Sequence, residues 1–273
     1  MVEYRFKPAT AYNKVLPKCG VSFPSHDTRI ERQMMDNSTK DKLENETPHF
    51  GNTMLCAGAV SKDGISLIHG DSLQALKSYG DNYFDVAIVD PPYGIGDTFI
   101  GFSSGAKKGK LERVHKEMKW DDNIPSEEYF TELKRVSKKQ IIWGANYFNS
   151  FNDEGGALVW YKNRGGNTLS QCEIASVSGQ KKVDYVAIQI LTGFVADEER
   201  IHPTQKPIKL YRWLLDNYTS EGDLILDTHL GSGSIAIACH QMKRRLIAYE
   251  IDDEYYQKAC KRFEEETRQM ALW

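Results

Sequence analysis

The apolar run Phe84-Asp85-Val86-Ala87-Ile88-Val89 stops at Asp90-Pro91-Pro92-Tyr93, and this junction constrains the fold more than any other stretch. A short run of mostly β-branched, apolar residues reads as a buried strand. Two consecutive prolines lack N–H donors and hold φ near about −65°, so neither a helix nor a strand ladder continues through them. A carboxylate and an aromatic ring are therefore held where a strand ends, although the same pattern also suits an ordinary rigid turn. Similar strand-like runs are expected over 65–68, 140–143, 157–161, 183–190, 224–227 and 245–249. Helical periodicity fills 125–136 (Tyr129, Phe130, Leu133 and Val136 on one face), the segment opened by Pro207 (Ile208, Leu210, Tyr211, Leu214, Leu215), 235–241 and 253–269. Such alternation predicts an α/β, doubly wound sheet. Sheets of that kind bind ligands at the carboxyl ends of their strands.

At 273 residues the chain can bury one large α/β core with a small addition. Residues 1–60 read as a poorly structured extension, since 25–46 is polar and charged without periodicity, and 61–273 as one domain. Residues 94–119, rich in glycine and lysine, read as a long functional loop. A net charge of −3 gives no global attraction to nucleic acid, so a DNA role must rest on local basic surface. Cys19, Cys56, Cys172, Cys239 and Cys260 form no Cys-x-x-Cys pair, which argues against a zinc site or a disulfide framework. No metal is expected. Reduced cysteines, a polar N-terminus and the lack of a membrane-length apolar run lead to the expectation of a soluble, intracellular protein with no membrane partner.

Leu226-Asp227-Thr228-His229-Leu230-Gly231-Ser232-Gly233-Ser234 is a second junction: a strand, an acid, a glycine turn and a helix start. The glycines permit close backbone approach, and amides at the helix start favour anionic groups. Gly231-x-Gly233-x-x-Ala236, with Glu250 about 20 residues on, also fits a dinucleotide fingerprint. The glycine turn alone thus leaves a nicotinamide cofactor and S-adenosylmethionine both open. An acid placed before the turn favours the cationic molecule.

With these junctions in view, Asp90-Pro91-Pro92-Tyr93 resembles the catalytic motif of the DNA amino-methyltransferases. His202-Pro203-Thr204-Gln205-Lys206-Pro207 resembles the loop before their first cofactor helix, and 226–234 resembles their cofactor loop. The latter departs in having Thr228-His229 where Pro-Phe is common. Gly70-Asp71 resembles the site of the acid that holds the cofactor adenine amine. Trp120-Asp121-Asp122, residues 141–148 and Tyr249-Glu250-Ile251-Asp252 are similar to further family segments. The order, catalytic motif before glycine loop, is that of the permuted β-group.

The resemblance implies a mostly parallel, seven-stranded sheet of the S-adenosylmethionine-dependent, Rossmann-like type, circularly permuted. Its catalytic half would span about 61–161, a target-recognition segment about 162–200, and the cofactor half about 201–273. S-adenosylmethionine would contact Asp71, His202, Pro203, Thr204, Lys206, Asp227, Gly231, Ser232, Gly233, Glu250 and Ile251. Thr204 and Lys206 suit its carboxylate. Asp90 and the Pro91 carbonyl would accept N–H groups of an exocyclic amine, Pro92 would stiffen the turn, and Tyr93 would stack on an extruded base. Asp90, where many cytosine-N4 enzymes carry Ser, tilts the expectation to adenine N6. DNA would be the partner, met by Lys107, Lys108, Lys110 and Arg113 after the catalytic turn and by Lys162 and Arg164 beyond it. Asn146 and Tyr147 are candidates to line the base pocket or to be core. The family often dimerises, so a homodimer is a candidate assembly with no surface identified. Cytosine-N4 or an RNA amino group as target, a nicotinamide-dependent oxidoreductase and a non-catalytic DNA-binding relative are the alternatives.

Overall fold

The computed structural model describes residues 59–94, 124–148, 151–162, 170–189, 198, 201–202 and 204–270. The chain divides into two units, Met1–Gly51 and Asn52–Trp273, and every described residue lies in the second. The expected N-terminal extension lies outside the described residues except at its last two positions. The expected loop after Tyr93 likewise lies outside them beyond Gly94.

The strands are β1 (Val60–Lys62), β2 (Ile65–His69), β3 (Phe84–Val89), β4 (Ser137–Trp143), β5 (Ala157–Tyr161), β6 (Cys172–Val177), β7 (Val183–Ala187), β8 (Leu224–Asp227) and β9 (Arg245–Glu250). The helices are α1 (Ser72–Leu76), α2 (Glu127–Val136), α3 (Ala145–Phe148), α4 (Ile208–Tyr218), α5 (Ser234–Gln241) and α6 (Asp253–Met270). All nine strands form one sheet in the order β1-β2-β9-β8-β3-β4-β6-β5-β7. From β2 to β4 the pairings are parallel, whereas β6 runs antiparallel to both β4 and β5.

The α/β, doubly wound architecture is the expected one, but the sheet has nine strands where seven were expected. Seven inner strands carry one further strand at each edge, β1 and β7. The two strands absent from the sequence reading are β1 and β6. β1 is three residues with no alternation, and in β6 Glu173 and Ser176 interrupt the apolar residues, so neither offers an unbroken apolar run. The expected strand over 183–190 ends at Ala187.

β3 shows why the sheet is covered on both faces. Val86 and Ile88 point into a core shared with Leu210 and Leu214 of α4, Ile235 of α5 and Phe263 of α6. Phe84, Ala87 and Val89 point to the opposite core with Leu76 of α1 and Leu133 of α2. Burying each large apolar side chain contributes roughly 1.5–3 kcal/mol. Helix α2 starts where Ser126 Oγ accepts the Tyr129 N–H at 3.2 Å, with Glu127 and Glu128 at its positive end and Lys134 and Arg135 at its negative end.

The register fixes what stands at the carboxyl edge. Ala87 pairs with Leu226 and Asp227 pairs with Ala248, so β3, β8 and β9 end side by side, followed by β2 paired to β9. Four acids consequently line one edge of the sheet at adjacent strand ends: Asp90, Asp227, Glu250 and Asp71.

Candidate active site

Asp90 follows the last residue of β3, and the two prolines hold the next turn extended. Asp90 Oδ1 accepts the Tyr93 hydroxyl at 2.7 Å, and Oδ2 accepts Lys206 Nζ. The ammonium also lies 3.3 Å from the Tyr93 hydroxyl and 3.0 Å from Glu173 Oε2. Lys162 Nζ is ion-paired with the other Glu173 oxygen. Aromatic faces back both cations: Trp143 lies 5.2 Å and Tyr93 5.8 Å from Lys206 Nζ, and Trp160 lies 5.4 Å from Lys162 Nζ.

Burial alone would push the Lys206 pKa down, but Asp90 and Glu173 outweigh it and hold the ammonium above its ordinary value. Burial likewise opposes ionisation of Glu173, yet Lys206 and Lys162 keep it well below the usual carboxylate range. Burial beside Asp90 and Glu173 raises the Tyr93 phenol well above its ordinary value, so it stays protonated and donates.

Tyr93 is held by its neighbours. Tyr147 stacks on it with centroids 4.9 Å apart and planes 15° from parallel, and Phe148 meets it edge-on at 5.8 Å. Gly144 sits at φ +71°, and a Cβ there would come within 2.2 Å of Tyr93 Cε1. Glycine at the end of β4 is thus what lets the phenol ring lie against the backbone.

Next along the edge, Asp227 Oδ1 accepts the His229 N–H at 3.0 Å. Burial pushes this carboxyl up to about 8, helped by the Asp90 and Glu250 charges and opposed by the His229 amide. Glu250 Oε2 accepts Gly231 N–H at 2.8 Å and Oε1 accepts Asp252 N–H at 3.0 Å, while burial raises its pKa. Asp71 caps α1, its Oδ1 accepting the Leu73 N–H at 2.8 Å. A cavity of about 180 Å³ opens between Asp71, Pro92, Tyr129, His229 and Ile251. Burial lowers the His229 pKa to about 4, so its ring is neutral at pH 7 and meets Tyr129 edge-on at 5.6 Å. Thr228 Oγ1 shares hydrogen bonds with the Tyr129 hydroxyl at 2.6 Å and with His229 Nδ1 at 2.9 Å. Thr228-His229, the departure from Pro-Phe, accordingly still presents an uncharged ring to the cavity.

The glycine turn is braced from below. Gly233, at φ +73°, precedes α5, and Arg262 of α6 donates to the Ser232 carbonyl and to Ser234 Oγ, both at 2.9 Å. The same guanidinium donates to Glu198 Oε2 at 2.9 Å, whose other oxygen accepts the Ile208 N–H opening α4. Arg262 and Glu198 therefore tie the glycine turn to the start of α4. His202 lies beside the turn, its ring 4.4 Å from Tyr255 and its Nδ1 3.2 Å from Thr204 Oγ1.

The structure brings Asp90, Pro91, Pro92 and Tyr93 together with Lys206, and groups Asp227, Gly231, Ser232, Gly233 and Glu250 at the neighbouring turn. Asp71 and Ile251 border the cavity. Lys206 differs from expectation: its Nζ is on Asp90 and Glu173, on the Tyr93 side of the edge. Lys162 also differs, because it is buried on Glu173 and so presents no basic surface to a phosphate. Pro203, Lys107, Lys108, Lys110, Arg113 and Arg164 lie outside the described residues. Glu173, Gly144, Tyr129, Arg262 and Glu198 were not singled out from sequence. For Glu173 the available signal was an acid beside apolar residues in Cys-Glu-Ile-Ala.

Three carboxyl groups (Asp71, Asp227, Glu250), the latter two buried, near an apolar wall suit a positively charged molecule with hydroxyls and a flat ring. Residues 142–261 match the family described as DNA methylase. The chain is 24% identical over 242 residues to the type II methyltransferase M.HpaI of Haemophilus parainfluenzae, covering 73% of this chain and 74% of that protein. It is 25% identical over 247 residues to the DNA adenine methyltransferase YhdJ of Escherichia coli, covering 73% and 82%. In fold it is similar to the solved PvuII DNA methyltransferase, titled cytosine-N4-specific, with a TM-score of 0.50, 14% identity, and 75% and 90% of the two chains covered.

Proposed function

We propose that this chain, a DNA amino-methyltransferase of the N6-adenine and N4-cytosine family, transfers a methyl group from S-adenosylmethionine to N6 of an adenine turned out of DNA. The observation that carries this reading is the Asp90–Tyr93 pair at the end of β3, next to the glycine turn at the end of β8. An exocyclic amine is a poor nucleophile because its lone pair is delocalised into the ring. Asp90 and the Pro91 carbonyl accept its two N–H groups, return electron density to nitrogen, and aim it. Tyr93 offers a flat face of the kind Tyr147 already stacks on, replacing the neighbours an extruded base has lost. The catalysis is positioning plus directed electrostatics, and it needs no covalent intermediate.

S-adenosylmethionine supplies an electrophilic methyl group on a sulfonium. Asp227 would face its cationic end, Glu250 its ribose hydroxyls and Asp71 its adenine amine, while Pro92, Tyr129, His229 and Ile251 would exclude water from the flat ring. His202 and Thr204, beside the glycine turn, are assigned to its carboxylate. Phosphate contacts are assigned to Lys107, Lys108, Lys110, Arg113 and Arg164, and Lys162 is not among them. Adenine is favoured over cytosine N4 by Asp at position 90, and YhdJ, similar to this chain, is named for adenine. A nicotinamide oxidoreductase would leave the Asp90–Tyr93 pair without a task.

Incubating the protein with genomic DNA and methyl-labelled S-adenosylmethionine, then mapping modified positions by sequencing, tests the reading. N6-methyladenine in a defined context is expected. N4-methylcytosine would shift the target to the other base, and unlabelled DNA from a protein that binds NAD would overturn the assignment.

Cofactor binding should also release protons. Asp227 titrates near 8 in the folded protein, above its ordinary 3.8. A folded-state pKa raised in this way means that the ligand-free protein loses stability as pH rises from about 4 to about 8, because the unfolded carboxyl ionises over this range while the buried one keeps its proton. A cation beside Asp227 favours the ionised form, so affinity should rise with pH between 6 and 8, by at most about tenfold per unit. Calorimetry at pH 7 in buffers of different ionisation enthalpy should detect up to about one proton released per site. An affinity flat across this range would remove Asp227 from the cation site.

A further inference from the structure

The catalytic carboxylate already has a donor on each oxygen. These are the Tyr93 hydroxyl and the Lys206 ammonium, so a target amine arriving at Asp90 competes with them for its lone pairs. An ammonium left on Asp90 would also pull electron density away from the carboxylate just when it must accept an N–H from the amine. Lys206 cannot turn out to water, since its side chain is 3% exposed.

A second acceptor stands beside it. Glu173 Oε2 lies 3.0 Å from Lys206 Nζ but off the line of a hydrogen bond, so that among the described residues this buried oxygen accepts none. Its partner oxygen is held by Lys162, which keeps the carboxylate from swinging away. The four groups, Lys162, Glu173, Lys206 and Asp90, sum to zero charge, so a shift of Lys206 within the cluster leaves no net charge uncompensated.

We propose that Lys206 is a positioning residue with two seats, Asp90 Oδ2 before the base arrives and Glu173 Oε2 once Asp90 turns to the amine. Glu173 and Lys162 supply the second seat. Lys206 thereby serves the methyl acceptor and does not hold the cofactor carboxylate. The inference rests on the methyl-transfer reading above.

The discriminating variant is the double substitution Glu173→Gln with Lys162→Met, which removes one anion and one cation and leaves the Lys206–Asp90 pair intact. It is expected to lower kcat for DNA methylation on the order of tenfold or more, with the S-adenosylmethionine Kd and the DNA KM within about threefold of wild type. Lys206→Met, which can fail to fold because it strands Asp90, should show the same split wherever it folds, and Lys206→Arg should restore part of the rate. Wild-type kcat in the double variant overturns the proposal, as does loss of S-adenosylmethionine binding in Lys206→Met with kcat intact at saturating cofactor. Wild-type protein that transfers no methyl to DNA instead removes the underlying reading and the proposal with it.

Discussion

Asp90→Ala should still bind S-adenosylmethionine while its kcat falls on the order of 10²-fold or more. The substitution takes away the acceptor proposed for the amine, and no other carboxylate among the described residues shares that turn. Glu250 and Asp227 belong to the neighbouring strand ends, so the turns after β8 and β9 keep their hydrogen bonds and the proposed cofactor side is left in place. Removing one partner of a buried ion pair costs about 3–5 kcal/mol when the other is left alone. Here Lys206 still faces Glu173 at 3.0 Å, so the loss should fall below that range. Methyl transfer followed by label incorporation, with calorimetry for the cofactor, separates rate from binding. Near-normal turnover in Asp90→Ala would sink the role given to this residue.

The second large effect belongs to a residue with no side chain. Gly144→Ala places a Cβ 2.2 Å from Tyr93 Cε1 and 2.6 Å from Cδ1, at a φ of +71°. The backbone cannot yield easily, because Gly144 N–H donates to the Ile174 carbonyl of β6 at 3.0 Å. The ring must therefore move, taking its hydroxyl off Asp90 and disturbing its stack with Tyr147, which is 43% exposed. Left-handed backbone at a non-glycine residue costs of order 1–3 kcal/mol. A displacement of about 1 Å at a reacting site can cost 10²-fold in rate. A lower Tm together with a kcat loss of that order is expected. A variant that is destabilised but turns over normally would show that the Tyr93 position is irrelevant to the reaction.

Much of the edge was legible as residue types at strand ends. Asp90 and Asp227 each close an apolar run, and Glu250 follows one, so their presence at one edge of a doubly wound sheet needed only periodicity and turn chemistry. The neighbourhood of β3 and β8 was not legible: it joins positions more than a hundred residues apart. Lys206 shows the limit most clearly. Its place before Pro207 suggested a loop ammonium for the cofactor, but a four-carbon stem reaches either way from a loop, and the packing of Trp143 and Glu173 sends it to Asp90. Lys162, expected to meet DNA, is likewise drawn inward to Glu173. β6 escaped because Glu173 and Ser176 interrupt its apolar residues and its place between β4 and β5 is set by long-range pairing.

The sequence by itself determined the elements and the chemistry at their ends: where chains must turn, which turns carry an acid, and where glycine permits close approach. These are local properties, set by steric limits on the backbone and by the period of apolar residues. Only the tertiary structure decided which ends are neighbours and which charges meet. Parallel pairing of β3 with β8 set Asp90 beside Asp227, and burial then raised one carboxyl while two lysines compensated Glu173. Electrostatics depends on distance and on exclusion of water, and neither exists until the chain is folded.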